Sequence, residues 1–215
     1  MFRFGSLKRL IVALAVFGIV GVVAGTARAD IVVTTGVNNQ DTDNVLLNPA
    51  TNVLTVTGTV GQNNLVVNFT STSGTMLLNA NPSGQATVSG GLGNGPFTQL
   101  TFGLANNDTF TRAVFNINAA IDGMVTITVT GINITGGTFV DVFTVDANGQ
   151  NFFTVDAING QLIQTISLSG VPMTDVRQVR LGGGQIIVPE PASMLLLGSG
   201  LVGAAAAIRR RRRKI

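Results

Sequence analysis

The sequence predicts an all-β domain, an antiparallel β-sandwich of jelly-roll-like type, set between two apolar terminal segments. Three observations predict it. Val, Ile, Thr and Phe dominate the periodic stretches, and these residue types suit a pleated, half-buried surface. Apolar and polar residues alternate, most clearly in Met124-Val125-Thr126-Ile127-Thr128-Val129-Thr130, where Val125, Ile127 and Val129 face a core and the threonines face water. Asn, Gly, Asp and Ser separate these runs at the spacing of short strands, and no helical apolar period occurs before the C-terminal tail.

The N-terminal segment carries an address. Arg3, Lys8 and Arg9 form a positive region, Leu10 to Val23 is apolar, and Ala27-Arg28-Ala29 is a small-x-small site. That order predicts a signal peptide over residues 1–29, cut by signal peptidase after Ala29, with Ala27 and Ala29 as the processing residues.

Residues 30–188 form one domain, long enough to bury a core. The whole chain has a formal charge of +3 and a pI near 10.6. Its cations are concentrated at the two ends. Residues 30–188 keep only Arg112, Arg177 and Arg180 against nine aspartates, a net charge of −6. The exported part is therefore acidic, and the high pI does not imply nucleic acid as a partner. The chain has no cysteine, so packing and hydrogen bonds must hold the domain without disulfides.

Strands are expected at 31–35, 53–57, 65–70, 75–79, 85–89, 97–103, 114–118, 124–130, 138–145, 151–157, 162–168 and 175–181. Leu54 and Val56 should point inward on one of them, and Phe115 and Ile117 on another. One of the adjacent Phe152 and Phe153 should point outward if their strand is regular. Asp122-Gly123, Asn148-Gly149 and Asn159-Gly160 supply residues that tolerate positive φ in tight turns. Residues 144–150 are nearly repeated at 154–161, which fits successive strands of a meander ending in Asn-Gly turns. Gly182-Gly183-Gly184 lacks the Gly-Lys-Ser/Thr and helix of a phosphate loop, and reads as a hinge or bulge.

The absent residue types restrict the chemistry. With no histidine and no cysteine, the usual nitrogen and sulfur ligands of zinc and the Ser-His-Asp or Cys-His arrangements cannot be built. The only lysines, Lys8 and Lys214, lie in the terminal segments, and there is no tyrosine. Aspartates alone could form a glycosidase or protease pair, but none sits in such a motif. The domain is expected not to be an enzyme and to need no cofactor. Calcium is the possible exception: Asp41, Asp43 and Asn44 lie on one short stretch, and hard cations want several oxygen ligands. The Gly and distal Glu of an EF-hand are missing, and a solvated turn of Asx residues explains the same stretch.

Sugar sites usually stack rings on Trp or Tyr, and the chain has neither, although a groove lined by Asn, Asp and Thr could still bind a sugar. The domain also lacks lysine, a usual protection of edge strands, so edge-to-edge self-association is open to it.

The tail is the most specific signal. Pro189-Glu190-Pro191 precedes an uncharged run from Ala192 to Ile208, followed at once by Arg209, Arg210, Arg211, Arg212, Arg213 and Lys214. A helix over 192–208 would span roughly 25 Å, the short end of what crosses a bilayer, and the cations would stop it on the cytoplasmic side.

Residues 189–215 resemble the PEP-CTERM sorting signal of bacterial envelope proteins, through Pro189-Glu190-Pro191, the Gly/Ala-rich run Leu195 to Ala204, and Arg209–Arg213. The resemblance implies exosortase, a membrane transpeptidase-like enzyme, acting near Pro189-Glu190-Pro191. It implies passage from the inner membrane, with the domain on the periplasmic side, to the cell surface or an exopolysaccharide matrix. The C-terminal half also looks like β-sandwich ectodomains of such proteins, through Asn151-Phe152-Phe153-Thr154, Gln161 to Ile166 and Asp175 to Gly183. The expected function is that of an exported, non-catalytic surface or extracellular-matrix structural protein. The alternatives are a carbohydrate- or calcium-binding surface module, and a plain tail-anchored periplasmic domain.

Overall fold

The Val/Thr alternation that predicts strands at the sequence level resolves, in the computed structural model, into an all-β domain. The structure describes residues 30–71, 78–82, 86–91, 95–134, 137–147 and 149–184. The predicted signal peptide and the tail from Gln185 onward, with its expected helix over 192–208, lie outside them. The chain divides into two units, Met1–Gln185 and Ile186–Ile215, and the first holds every described residue.

The strands are β1 (Asp30–Thr35), β2 (Thr42–Asn44), β3 (Leu46–Leu47), β4 (Ala50–Val53), β5 (Thr55–Val60), β6 (Leu65–Thr70), β7 (Leu78–Asn81), β8 (Thr87–Gly90), β9 (Phe97–Leu104), β10 (Arg112–Ala119), β11 (Gly123–Ile132), β12 (Thr138–Val145), β13 (Asn151–Ile158) and β14 (Leu162–Gly182). All pairings between them are antiparallel.

The 21-residue strand β14 organises the sandwich. Its first half lies between β11 and β9, giving a layer in the order β12-β11-β14-β9-β6-β5-β3. Its second half lies between β10 on one side and β8 and β2 on the other, giving a layer that runs from β1 through β13 and β10 to β14 and on through β8 and β7 to β4. The sequence predicts two strands here, 162–168 and 175–181. Gly170 instead takes φ +126° and turns the continuing strand from one layer into the other.

Rings join the layers. Phe69 stacks on Phe102 at 5.6 Å in the first layer, and Phe102 meets the edge of Phe115 at 5.4 Å across the sandwich. Phe115 contacts Phe153 at 5.8 Å, and Phe153 returns to the first layer through Phe143 at 5.2 Å. Such offset and edge-on pairs add to the burial of the rings themselves. Val125, Ile127, Val129, Phe115, Ile117 and Val56 are buried as their alternation predicts. Leu54, expected inward, is 54% exposed, because it falls in the bend between β4 and β5 instead of within a strand.

Asn159 (φ +57°) and Gly160 (φ +82°) form the predicted tight turn. The near-repeat of 144–150 at 154–161 is not a meander, however. β12 pairs with β11, whereas β13 pairs with β1 and β10, so the chain changes layers between the two copies.

β12 is an edge strand, paired only with β11, and its Val140 and Val142 are exposed. The protection that lysine would give comes here from Asp141. It shares the strand parity of half-buried Phe139 and Phe143, and its Oδ1 accepts the backbone N–H of Val142 at 2.8 Å. A charge on the core-side parity of an edge strand, occupying a ladder donor, opposes addition of a further strand. Asp141→Val is expected to raise light scattering several-fold over the parent at equal concentration; equal scattering would refute this role.

Candidate ligand groove and the sorting segment

The outer face of the second layer carries the polar groups of interest. In register, Arg112 opposes Asp156, Val114 opposes Thr154 and Arg180, and Asn116 opposes Phe152 and Arg177. The segment from Gly36 to Asn44 crosses this face. Thr154 Oγ1 donates to Gly36 O at 3.0 Å and accepts the Asn38 N–H at 3.1 Å. Arg112 pairs with Asp156 and donates from Nη1 to Gln40 O at 2.9 Å.

A β-bulge sets the direction of the remaining arginine. Between Asn116↔Arg177 and Val114↔Arg180, the single residue Phe115 faces both Gln178 and Val179. Val176 points inward and Arg177 outward, so a regular strand would send Arg180 into the core. The extra residue restores the phase: Val179 and Leu181 are buried, and Arg180 emerges beside the crossing segment. Gln178 carries the strain in the left-handed region at φ +55°, a conformation worth roughly 1–3 kcal/mol.

Arg180 donates from Nε to Thr42 Oγ1 at 3.1 Å, from Nη1 to Asn44 Oδ1 at 2.8 Å and from Nη2 to Thr42 O at 2.9 Å. It forms one wall of a groove of about 300 Å³ that is also lined by Asn39, Asn44, Phe152, Gln178, Val37 and Val114. Phe153 is buried in the core, and Phe152 is the outward member of the pair, half-buried on the groove. Gln178 and Asn44 also line a neighbouring groove of about 390 Å³. The buried amide oxygens Gln178 Oε1 and Asn116 Oδ1 have no hydrogen-bond partner among the described residues.

The structure separates the residues proposed for calcium. Residues 42–44 form strand β2 instead of an open loop, so Asp43 and Asn44 point to opposite faces. Asn44 Oδ1 is taken by Arg180, while Asp41 and Asp43 line a different cleft of about 170 Å³ with Gly61 and Gly182. Among the described residues, no three acidic side chains converge as a metal-binding group.

A second surface is uncharged. On the outer face of the first layer, Thr126 opposes Ser169, Thr128 opposes Ser167 and Thr130 opposes Thr165. Ser167 also opposes Thr101, and their hydroxyls are 2.7 Å apart. The centre of the face is a hydroxyl array that water can bond, with exposed Val140 and Val142 of β12 opposite Thr128 and Thr126 at its margin.

Pro189-Glu190-Pro191 and Arg209–Arg213 lie outside the described residues, as do Ala27 and Ala29. Residues 188–213 match the PEP-CTERM protein-sorting motif. The PEP-CTERM motif implies an exported protein that associates with the membrane and is processed there by exosortase. Among the described residues no helix is long and apolar enough to cross a membrane. No curated protein matches the chain. Among solved structures the chain is similar to a family 29 carbohydrate binding module from Piromyces equi, at 14% identity and a TM-score of 0.29, over 73% of this chain and 91% of the module. So remote a likeness says nothing of what the groove holds.

Proposed function

We propose that this chain is a cell-surface or extracellular-matrix structural protein, delivered by exosortase and without catalytic activity. The sorting motif at 188–213 carries the reading. The domain ahead of it supports it: an acidic β-sandwich with a hydroxyl-covered outer layer remains hydrated and offers few of the large anchors that tight protein interfaces use. The aspartates are the only candidates for acid–base work, and Asp156 and Asp175 are held by Arg112 and Arg177. On this reading, signal peptidase removes residues 1–29, the segment 192–208 crosses the inner membrane transiently, and exosortase acts near Pro189-Glu190-Pro191.

The intact mass of the mature protein from its native host tests this, together with the fraction that contains it. The expected mass begins at Asp30, ends near 188–191, and is found at the surface or in the medium. A mass that retains Arg209–Lys214, found only in the inner membrane, would overturn sorting and leave a tail-anchored periplasmic domain.

The groove favours a second reading, a carbohydrate-binding module. A half-buried ring with amide and guanidinium groups around it suits a sugar, with Phe152 standing in for the absent Trp and Tyr.

A further inference from the structure

We propose that the groove at Arg180 binds an acidic glycan, with the guanidinium of Arg180 taking a sugar carboxylate. The inference rests on the carbohydrate-binding reading and adds the chemical class of the ligand. It is carried by the state of Arg180. Of the three arginines in the domain, Arg112 pairs with Asp156 and Arg177 with Asp175. Arg180 pairs with no carboxylate among the described residues; all three of its hydrogen bonds go to neutral acceptors.

That is unexpected on numbers alone. Aspartates outnumber arginines nine to three in residues 30–188, so compensating charge is abundant. Yet no carboxylate lines the groove beside Arg180. A guanidinium has five N–H donors, and three are used, which leaves two for a ligand. The existing bonds to Thr42 and Asn44 fix the plane of the group, so a carboxylate would meet a fork that is already oriented.

The rest of the lining selects a glycan over an acidic peptide. Phe152 offers an apolar ring, Asn39 and Gln178 offer amides, and Asn44, whose oxygen is held by Arg180, offers its amide N–H donors to sugar hydroxyls. Gln178 Oε1, on the groove lining, lacks a partner among the described residues. Unpartnered buried acceptors are rare and call for a donor. The bulge that holds Gln178 in the left-handed region also turns Arg180 outward, so local strain and the uncompensated cation belong to one device.

Calorimetry on the mature full-length protein tests the proposal with three probes: an oligogalacturonate, the neutral oligogalactoside of equal length and linkage, and oligoglutamate. The oligogalacturonate should bind at least about tenfold more tightly than either of the others, since a charge-assisted bond is lost in the neutral sugar. Arg180→Gln should remove that preference about tenfold or more. Because Arg180 also holds β2 through Thr42, a second variant, Phe152→Ser, keeps those bonds and should weaken the charged and neutral sugars alike. Equal binding of both sugars, unchanged by Arg180→Gln, would overturn the acidic-glycan inference and leave the carbohydrate reading standing. No binding of either sugar would overturn both. Oligoglutamate binding as tightly as the oligogalacturonate would overturn the choice of a glycan.

Discussion

Phe115→Ala is expected to destabilise the domain by about 3–5 kcal/mol, the usual range for removing a fully buried ring. Phe115 is wholly inaccessible and is the middle member of the run Phe69-Phe102-Phe115-Phe153-Phe143. It touches a ring in each direction, one of them across the two layers, so its loss opens a void that neither layer can fill alone. Domains of this kind have only about 5–15 kcal/mol in total, and this one has no disulfide to offset the loss. Urea unfolding would show the midpoint falling by roughly 1–5 M, given slopes near 1–3 kcal/mol per M. The internal comparison is Phe152→Ala, which removes the same ring from a half-buried site on the groove and should shift the midpoint much less. Equal shifts for the two variants would mean that the core is not centred on Phe115.

The contrast between these adjacent phenylalanines also shows how much of the fold a sequence displays. Period-two alternation predicts that the two side chains part, and it places Val125, Ile127, Val129, Phe115 and Ile117 in the core correctly. Each of those calls on geometry within one strand. Pairing between strands is another matter. The repeated Thr-Val-Asp-Ala stretches look like consecutive hairpins, yet the strands that contain them lie in different layers. Strands β2, β3 and β4 are two to four residues long, too short for an alternation to register. β14 is the opposite case, one 21-residue strand where the sequence predicts two.

The site follows the same division. The sorting motif is linear, and its three parts are recognisable in order without any fold. The groove depends on pairing register. Nothing local marks Gln178 as a bulge residue, because the left-handed region there is imposed by the partners on either side and the sequence has neither Gly nor Asn at that position. Only the bulge explains why Arg180 points outward. The spacing of Asp41, Asp43 and Asn44 is also subject to register: pairing with β14 makes 42–44 a strand and sends the adjacent side chains of Asp43 and Asn44 apart.

Gly170→Ala is the substitution expected to test the layer-changing corner, with a loss of about 2–4 kcal/mol. Two effects add at this position. The φ of +126° is one that a side chain strains, costing roughly 1–3 kcal/mol. A Cβ would also lie 2.5 Å from Met124 O and 3.5 Å from Val125 Cα, backbone atoms of β11 that cannot rotate away. Gly36 separates the two effects. Its φ of +110° is similar, but a Cβ there meets nothing within 4 Å, so Gly36→Ala should lose only the conformational part. Thermal unfolding of the two variants therefore measures the close approach by difference. If Gly170→Ala and Gly36→Ala lower Tm equally, the corner is not tightly packed against β11. If Gly170→Ala falls several degrees further, the approach of β14 to β11 fixes where the strand turns, and with it the register that carries Gln178 and Arg180 to the groove.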